Sequence, residues 1–326
     1  MANEYVIYGP SISLFTRKLQ AAFRFYGVPF RTEMPDQDIG GRAATHQVPV
    51  LLTPENWAIA DTTPILGTLD ARFPARRLFP AGPAGVLTHI VEEVLDEWFA
   101  RTMVHYRWHY EVNTVHTVSE LLGKEVTVEE ARAFPLAQWG PRACRATGTE
   151  SEHQQKAAET EYLAMLSALE EQLGSTRYAL GDRPTAADAI LLGGLRAHTN
   201  NDPIPDLSAF PRILAWDTEG AHRWDGTGSI APPPEVTPFA EHILRIARDQ
   251  YAPFVLGTRA ALAEGRKAFT VDTYGEEVSY LARPYPEQSR QYVIERIRTQ
   301  LDDSQRKDVL AWIDSCGLAD CFRPED

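Results

Sequence analysis

THQVPVLLTPENWAIADTTPILGTL, residues Thr45 to Leu69, decides how the chain is read. It carries Val48-Pro49 at the head of an apolar run that continues through Val50, Leu51 and Leu52. Proline donates nothing to a sheet ladder, so within strand-like sequence it belongs at an edge, a bulge or a special turn. Thr53-Pro54-Glu55-Asn56 then reads as a turn, and Trp57-Ala58-Ile59-Ala60 as a second short strand. Asp61-Thr62-Thr63-Pro64 reads as a helix start: a capping side chain, a second hydroxyl and a proline in the first turn. Ile65, Leu66 and Leu69 follow at helical spacing until Phe73-Pro74 ends the run. This order, extended, hairpin, extended, helix start, would let the proline turn and the helix N-terminus face one small ligand.

Upstream of that stretch, Glu4 to Tyr8 is a β-rich run broken by Gly9-Pro10, and Leu14 to Tyr26 reads as a helix ended by Gly27. The pattern puts Arg17, Lys18 and Arg24 on the outer side of that helix. Val28 to Met34 is a second strand, while residues 35–44 give no clear element. Residues 1–80 therefore form a compact α/β unit. After the linker Arg76 to Pro83, residues 84–225 read as all-helical. A long periodic segment runs from Val86 to Tyr110, and a short helix from Val128 to Ala133 lies in otherwise less regular sequence. An amphipathic helix spans 150–173, an apolar one begins at Thr185, and a last short helix lies within 203–222. Gly226 to Pro238, with Pro232 to Pro234 in a row, reads as a spacer. It opens a mixed α/β extension, 226–326, containing a helix from Phe239 to Gly265 and a hairpin from Ala268 to Leu281 that turns at Tyr274-Gly275. Two short helices end the chain.

Composition bounds the possible functions. The net charge of −13 argues against nucleic acid as a partner, because its phosphates would be repelled. Hydrophobic residues at 44% and charged residues at 24% describe an ordinary globular chain. Three scattered cysteines, Cys144, Cys316 and Cys321, are too few for a disulfide framework and point to reduced thiols in a cytoplasm. The N-terminus lacks the pattern of a signal peptide, and no apolar run approaches membrane-spanning length. His105 and His109 stand four apart with His116 beyond, but no carboxylate partner completes a set, so no metal is expected.

Four separated pieces, in order, resemble the glutathione transferase superfamily. Tyr8-Gly9 with Ser11 to Lys18 looks like the family's first strand, active-site loop and first helix. Val48-Pro49-Val50-Leu51 looks like the strand that follows its cis-proline. Asp61-Thr62 sits where the family has an acidic-hydroxyl pair, and Tyr178 to Asp188 (YALGDRPTAAD) is similar to the folding motif of its helical domain. The resemblance spans roughly residues 4–222. It implies a thioredoxin-like glutathione-binding domain, an all-helical domain, a homodimer, and glutathione as co-substrate for attack on a small hydrophobic electrophile. Ser13 is then the partner of the thiolate, with Ser11 as runner-up. A helix N-terminus and a hydroxyl donor together lower a thiol pKa from its usual value of about 8.5. Both serines have a plainer use as helix caps.

Gln47, Val48, Pro49, Asp61 and Thr62 are the implied glutathione contacts. Val48 would offer its main chain to a peptide-like ligand, and the helix start its hydroxyl and N–H groups to a carboxylate. Trp98, Met103 and Tyr106 are the candidate walls of the electrophile pocket, with Trp108 nearby. Thr185 to Asp188 is a capping box of structural meaning. Serine in place of cysteine favours conjugation, isomerisation or thiolytic cleavage over thiol–disulfide exchange. The chain departs from the family at Leu14, where proline is common, at His46, where a small residue is usual, and at Gln47, often basic. Those departures keep a non-catalytic binding or scaffold protein in view, alongside a lyase or isomerase using the same site.

Overall fold

The computed structural model describes residues 4–324. Strand β1 (Tyr5–Tyr8), helix α1 (Leu14–Tyr26), strand β2 (Phe30–Glu33), helix α2 (Gln37–Arg42), strands β3 (Val50–Leu52) and β4 (Ala58–Ala60) and helix α3 (Thr62–Arg72) build the first unit. The sheet order is β2-β1-β3-β4, with β1 parallel to β2 and the other pairs antiparallel. Ile7 pairs with Leu51, and Leu51 with Ile59, so the apolar runs are in register across the sheet. Ser13 caps α1, and Gly27 ends it in the left-handed conformation at φ 70°, which costs glycine little. The polar segment 35–44, expected to hold no element, forms α2. Asp36 supplies its cap, accepting from Ile39 N at 2.9 Å.

Helices α4 (Pro83–Glu93) and α5 (Ala100–His109) replace the single long helix expected over 86–110, with a π-helical turn at Val94–Trp98 between them. Segment 111–148 is also more regular than its sequence suggests: α6 (Glu111–Leu122), α7 (Val128–Ala133) and α8 (Pro135–Ala146) follow one another. Then come α9 (Glu152–Gln172), α10 (Ala186–Gly194) and α11 (Pro211–Ala215). Asp188 accepts from Thr185 N at 2.7 Å and from Ala179 N at 2.9 Å, which fixes the α10 start to the loop before it. The extension contains α12 (Pro238–Ile246), α13 (Ala252–Ala263), the hairpin β5 (Ala268–Thr273) and β6 (Glu276–Leu281), and α14 (Pro284–Thr299), α15 (Asp303–Ser315) and α16 (Ala319–Phe322). Tyr274 and Gly275 both have positive φ, the geometry of a tight two-residue hairpin turn.

The three parts share one continuous apolar core. Helix α1 lies against α10, where a Cβ on Gly193 would stand 2.7 Å from Leu14 O and 2.9 Å from Lys18 N. The spacer is pinned, with Asp182 N donating to Ser229 O at 3.0 Å. No helix among the described residues is long and apolar enough to cross a membrane.

Candidate functional site

A cavity of about 610 Å³ opens where all three parts meet. Its first wall comes from the N-terminal unit. The Val48–Pro49 bond is cis, and Val48 lies just before the sheet ladder, which begins at Val50. Asp61 takes φ 68° at the head of α3 and accepts from Thr63 N at 3.2 Å. Gln47, Val48, Pro49, Asp61 and Thr62 all line the cavity. Sequence places these five on two separate segments; the β3–β4 hairpin brings them together.

Behind Thr62 lies a residue that the sequence pattern put on the surface. Lys18 is fully buried, contrary to that expectation. Its ammonium donates to Thr62 Oγ1 at 2.9 Å, Glu92 Oε1 at 2.5 Å and Asp96 Oδ1 at 3.0 Å. The acids sit on α4 and the following turn, so the burial is invisible to any local pattern. Burial alone would lower the Lys18 pKa, but Asp96 and Glu92 outweigh it and hold the amine above its ordinary value. Burial raises Glu92 to about 7 against the pull of Lys18, and Asp61 is raised by burial too, with Lys18 again opposing. Glu97, on the cavity wall, is also pushed by burial to about 7, with Arg283 opposing at 3.8 Å. A visible signal existed: Glu92 and Asp96, like Glu93 and Glu97, are carboxylates four apart in an apolar helix. That spacing is repulsive unless something compensates it.

The opposite wall combines the helical part with the extension. Trp98, Arg101 and Val104, three apart, face the cavity from one side of the α4–α5 segment. Phe254 and Tyr280 of the extension stand beside Trp98, with ring centroids 5.8 and 6.5 Å away. Trp139, half exposed, also lines the cavity. Sequence reasoning missed Arg101, Phe254 and Tyr280. The two aromatics lie more than 150 residues downstream of Trp98, and no periodicity connects them.

Two expected pocket residues belong elsewhere. Met103 and Tyr106 are buried in the helical core, not in the cavity wall. Met103 lines a small void of about 20 Å³ with Leu14, Leu95 and Phe99, and the Tyr106 ring stacks on Tyr110 and meets Tyr162 edge-on. The helix rotation that turns Trp98 and Arg101 to the cavity turns positions 103 and 106 away from it. Trp108 packs against Gly140 of α8. His105, itself buried, is held through Nε2 by Glu159 at 2.6 Å, and its ring stacks on the exposed His109.

Ser13 is half-buried and does not line the cavity, although Phe15 of the same turn does. Its Oγ accepts from Thr16 N at 3.4 Å, so its own hydroxyl hydrogen remains to donate. Ser11 is exposed and presents its carbonyl to Arg17 Nε at 2.8 Å. Arg107 fixes this loop to the helical part: it donates to Ile12 O at 2.6 Å and pairs with Asp202 at 3.1 Å.

Residues 127–223 match the family model described as glutathione S-transferase, C-terminal domain. That match supports the glutathione transferase superfamily. Among solved structures, a glutathione S-transferase from Rhodospirillum rubrum F11 is similar at 15% identity and a TM-score of 0.45, covering 73% of this chain and 99% of its own. The β-etherase LigF from Sphingobium sp. strain SYK-6 is similar at 16% identity and 0.47, covering 69% and 97%. A theta class glutathione S-transferase from Xanthomonas axonopodis pv. citri, solved with glutathione bound, is similar at 19% identity and 0.44, covering 67% and 94%. A search of curated protein sequences finds no match. The glutathione transferase match covers α7 to the loop after α11, and so lies wholly outside the cavity's first wall.

Proposed function

We propose that the chain is a glutathione-dependent transferase. The observation that carries this reading is the first wall of the cavity, where Gln47, Val48, Asp61 and Thr62 present groups suited to a γ-glutamyl tripeptide. The ammonium of the tripeptide meets Asp61 and Asp96. Its α-carboxylate accepts from the Thr62 hydroxyl, whose oxygen already takes a proton donor from the buried Lys18 charge. The Val48 main chain pairs with the peptide unit of the ligand, and Gln47 donates its amide to the glycyl carboxylate.

The sulfur then lies towards the start of α1. There the helix N-terminus and the Ser13 hydroxyl stabilise its thiolate. The thiolate attacks an electrophilic carbon held against Trp98, Phe254 and Tyr280. The S–C bond forms as the leaving group departs with the bonding pair, and the thiol proton goes to solvent. Catalysis consists of thiol deprotonation at neutral pH and proximity of the two reactants.

Calorimetric titration with glutathione tests the reading. Wild-type protein binds at millimolar concentration or below, and Thr62→Val weakens binding by about tenfold, or about 1.4 kcal/mol. Ser13→Ala leaves binding nearly unchanged but raises the pKa of the bound thiol, read from thiolate absorbance. An absence of binding by the wild type at millimolar glutathione refutes the proposal.

A further inference from the structure

Arg101 is a charged side chain with little to do inside the folded chain. It is 2% exposed and lines the cavity, yet its Nε and Nη2 have no hydrogen-bond partner. Its Nη1 donates to Tyr280 Oη at 3.3 Å, and the guanidinium lies 4.3 Å over the Trp98 ring and 5.6 Å over Tyr274. Glu161 acts on it electrostatically, but the two form no ion pair among the described residues. The Glu161 oxygens are taken by Trp98 Nε1 at 2.8 Å and by the Tyr274 hydroxyl.

Arg283, part-exposed on the same cavity, also leaves its Nε unpartnered but pairs with Glu97 at 3.8 Å. The arginines buried as deeply as Arg101 are fully partnered. Arg107 is satisfied by Asp202, Ile12 O and Ala197 O, and Arg290 by Glu287 and Cys321 O. A buried donor left unmade costs of order 1–3 kcal/mol, and more when charged. Unpaired guanidinium N–H groups on a side chain that lines the cavity therefore mark a place for an anion, and their planar fork fits a carboxylate. The rings of Trp98, Phe254 and Tyr280 beside it supply the complementary aromatic surface.

We propose that Arg101 binds a carboxylate on the second substrate, so that the electrophile is an aromatic carboxylic acid. This rests on the transferase reading for the reaction, but not for the binding event. The acidic side chains Asp61, Asp96 and Glu97 belong to the first wall and the turn after α4, while Arg101 stands with the aromatic wall. Glutathione accordingly leaves Arg101 available.

Calorimetric titration with 2-naphthoate and 2-naphthamide, each with and without saturating glutathione, decides the matter. Wild-type protein prefers the carboxylate by about tenfold or more in both conditions. Arg101→Met removes that preference, Arg101→Lys keeps part of it, and Arg142→Met and Arg283→Met leave it in place. Equal affinities for the two compounds in the wild type overturn the assignment, and that comparison needs no variant to fold. So does a preference that survives Arg101→Met, or one abolished by glutathione, which would give Arg101 to the tripeptide. Because naphthoate is titrated in glutathione-free protein as well, failure to bind the tripeptide and failure to bind the carboxylate are separate results.

Discussion

Glu97 and Lys18 show how single residues set the electrostatics of the cavity floor. Lys18 stays charged because Asp96 and Glu92 surround it, and a buried ammonium tied to Thr62 sharpens that hydroxyl as a donor. Glu97 sits less favourably. Burial lifts its pKa from 4.5 to about 7, with Arg283 only partly offsetting the penalty. The folded chain therefore holds a proton on Glu97 that the unfolded chain has already released. Stability from this group is fully present below pH 4.5 and is lost as pH rises through about 7. Glu97→Gln keeps the shape and removes the ionisation, so it flattens the fall of stability across that window. Relative to wild type, the gain is on the order of 2 kcal/mol above pH 7 and vanishes at acid pH. Denaturant titrations at a series of pH values read this directly, and an unchanged pH profile in Glu97→Gln refutes it.

Elements bounded by local chemistry were legible in the sequence. Helix α1 begins and ends where Ser13 and Gly27 put its caps, α3 starts at Asp61, and the hairpin turns at Tyr274-Gly275. Helices α2, α6 and α8 were not legible. Residues 35–44 are polar and hold a glycine pair, so the Asp36 cap is the one local mark of α2, whereas Pro141 lies inside α8, where packing against α5 overrides local preference. The break at Val94–Trp98 was hidden because Val94, Leu95 and Trp98 continue the apolar pattern of the helices on either side. Within the site, the first-wall segments could be read, whereas the roles of Lys18 and Arg101 depend on partners dozens of residues away.

The α1–α10 contact carries a sharper requirement. Gly193 lets the two backbones touch, since a methyl group there would stand 2.7 Å from a carbonyl oxygen and 2.9 Å from an amide nitrogen. Neither atom belongs to a flexible side chain, so the helices must separate. Gly193→Ala, although it raises helix propensity, destabilises the protein by roughly 1–3 kcal/mol. Chemical denaturation measures the loss, and equal or greater stability refutes the packing argument.

At the scale of the whole molecule, the extension is part of the fold and not an appended module. Tyr251 donates to the buried Glu93 at 2.7 Å, Gln154 of α9 donates to Thr273 O at 2.6 Å, and Tyr280 fills the space beside Gly148, where a Cβ would come within 2.4 Å of its ring. Phe254 and Tyr280 also keep Trp98 almost wholly from solvent. Removing residues 226–326 strips the aromatic wall from the cavity and leaves Glu93 without its partner. Loss of a single large buried aromatic costs about 3–5 kcal/mol, and each kcal/mol moves the midpoint of a chain this size by roughly 2–4 °C. Residues 1–225 alone accordingly unfold at least about 10 °C below the full chain, or fail to give a cooperative transition. Calorimetric scans of the two proteins make the comparison. A truncated chain melting cooperatively at the full-length temperature would mean that the shared core contributes nothing and that the extension is a separable module.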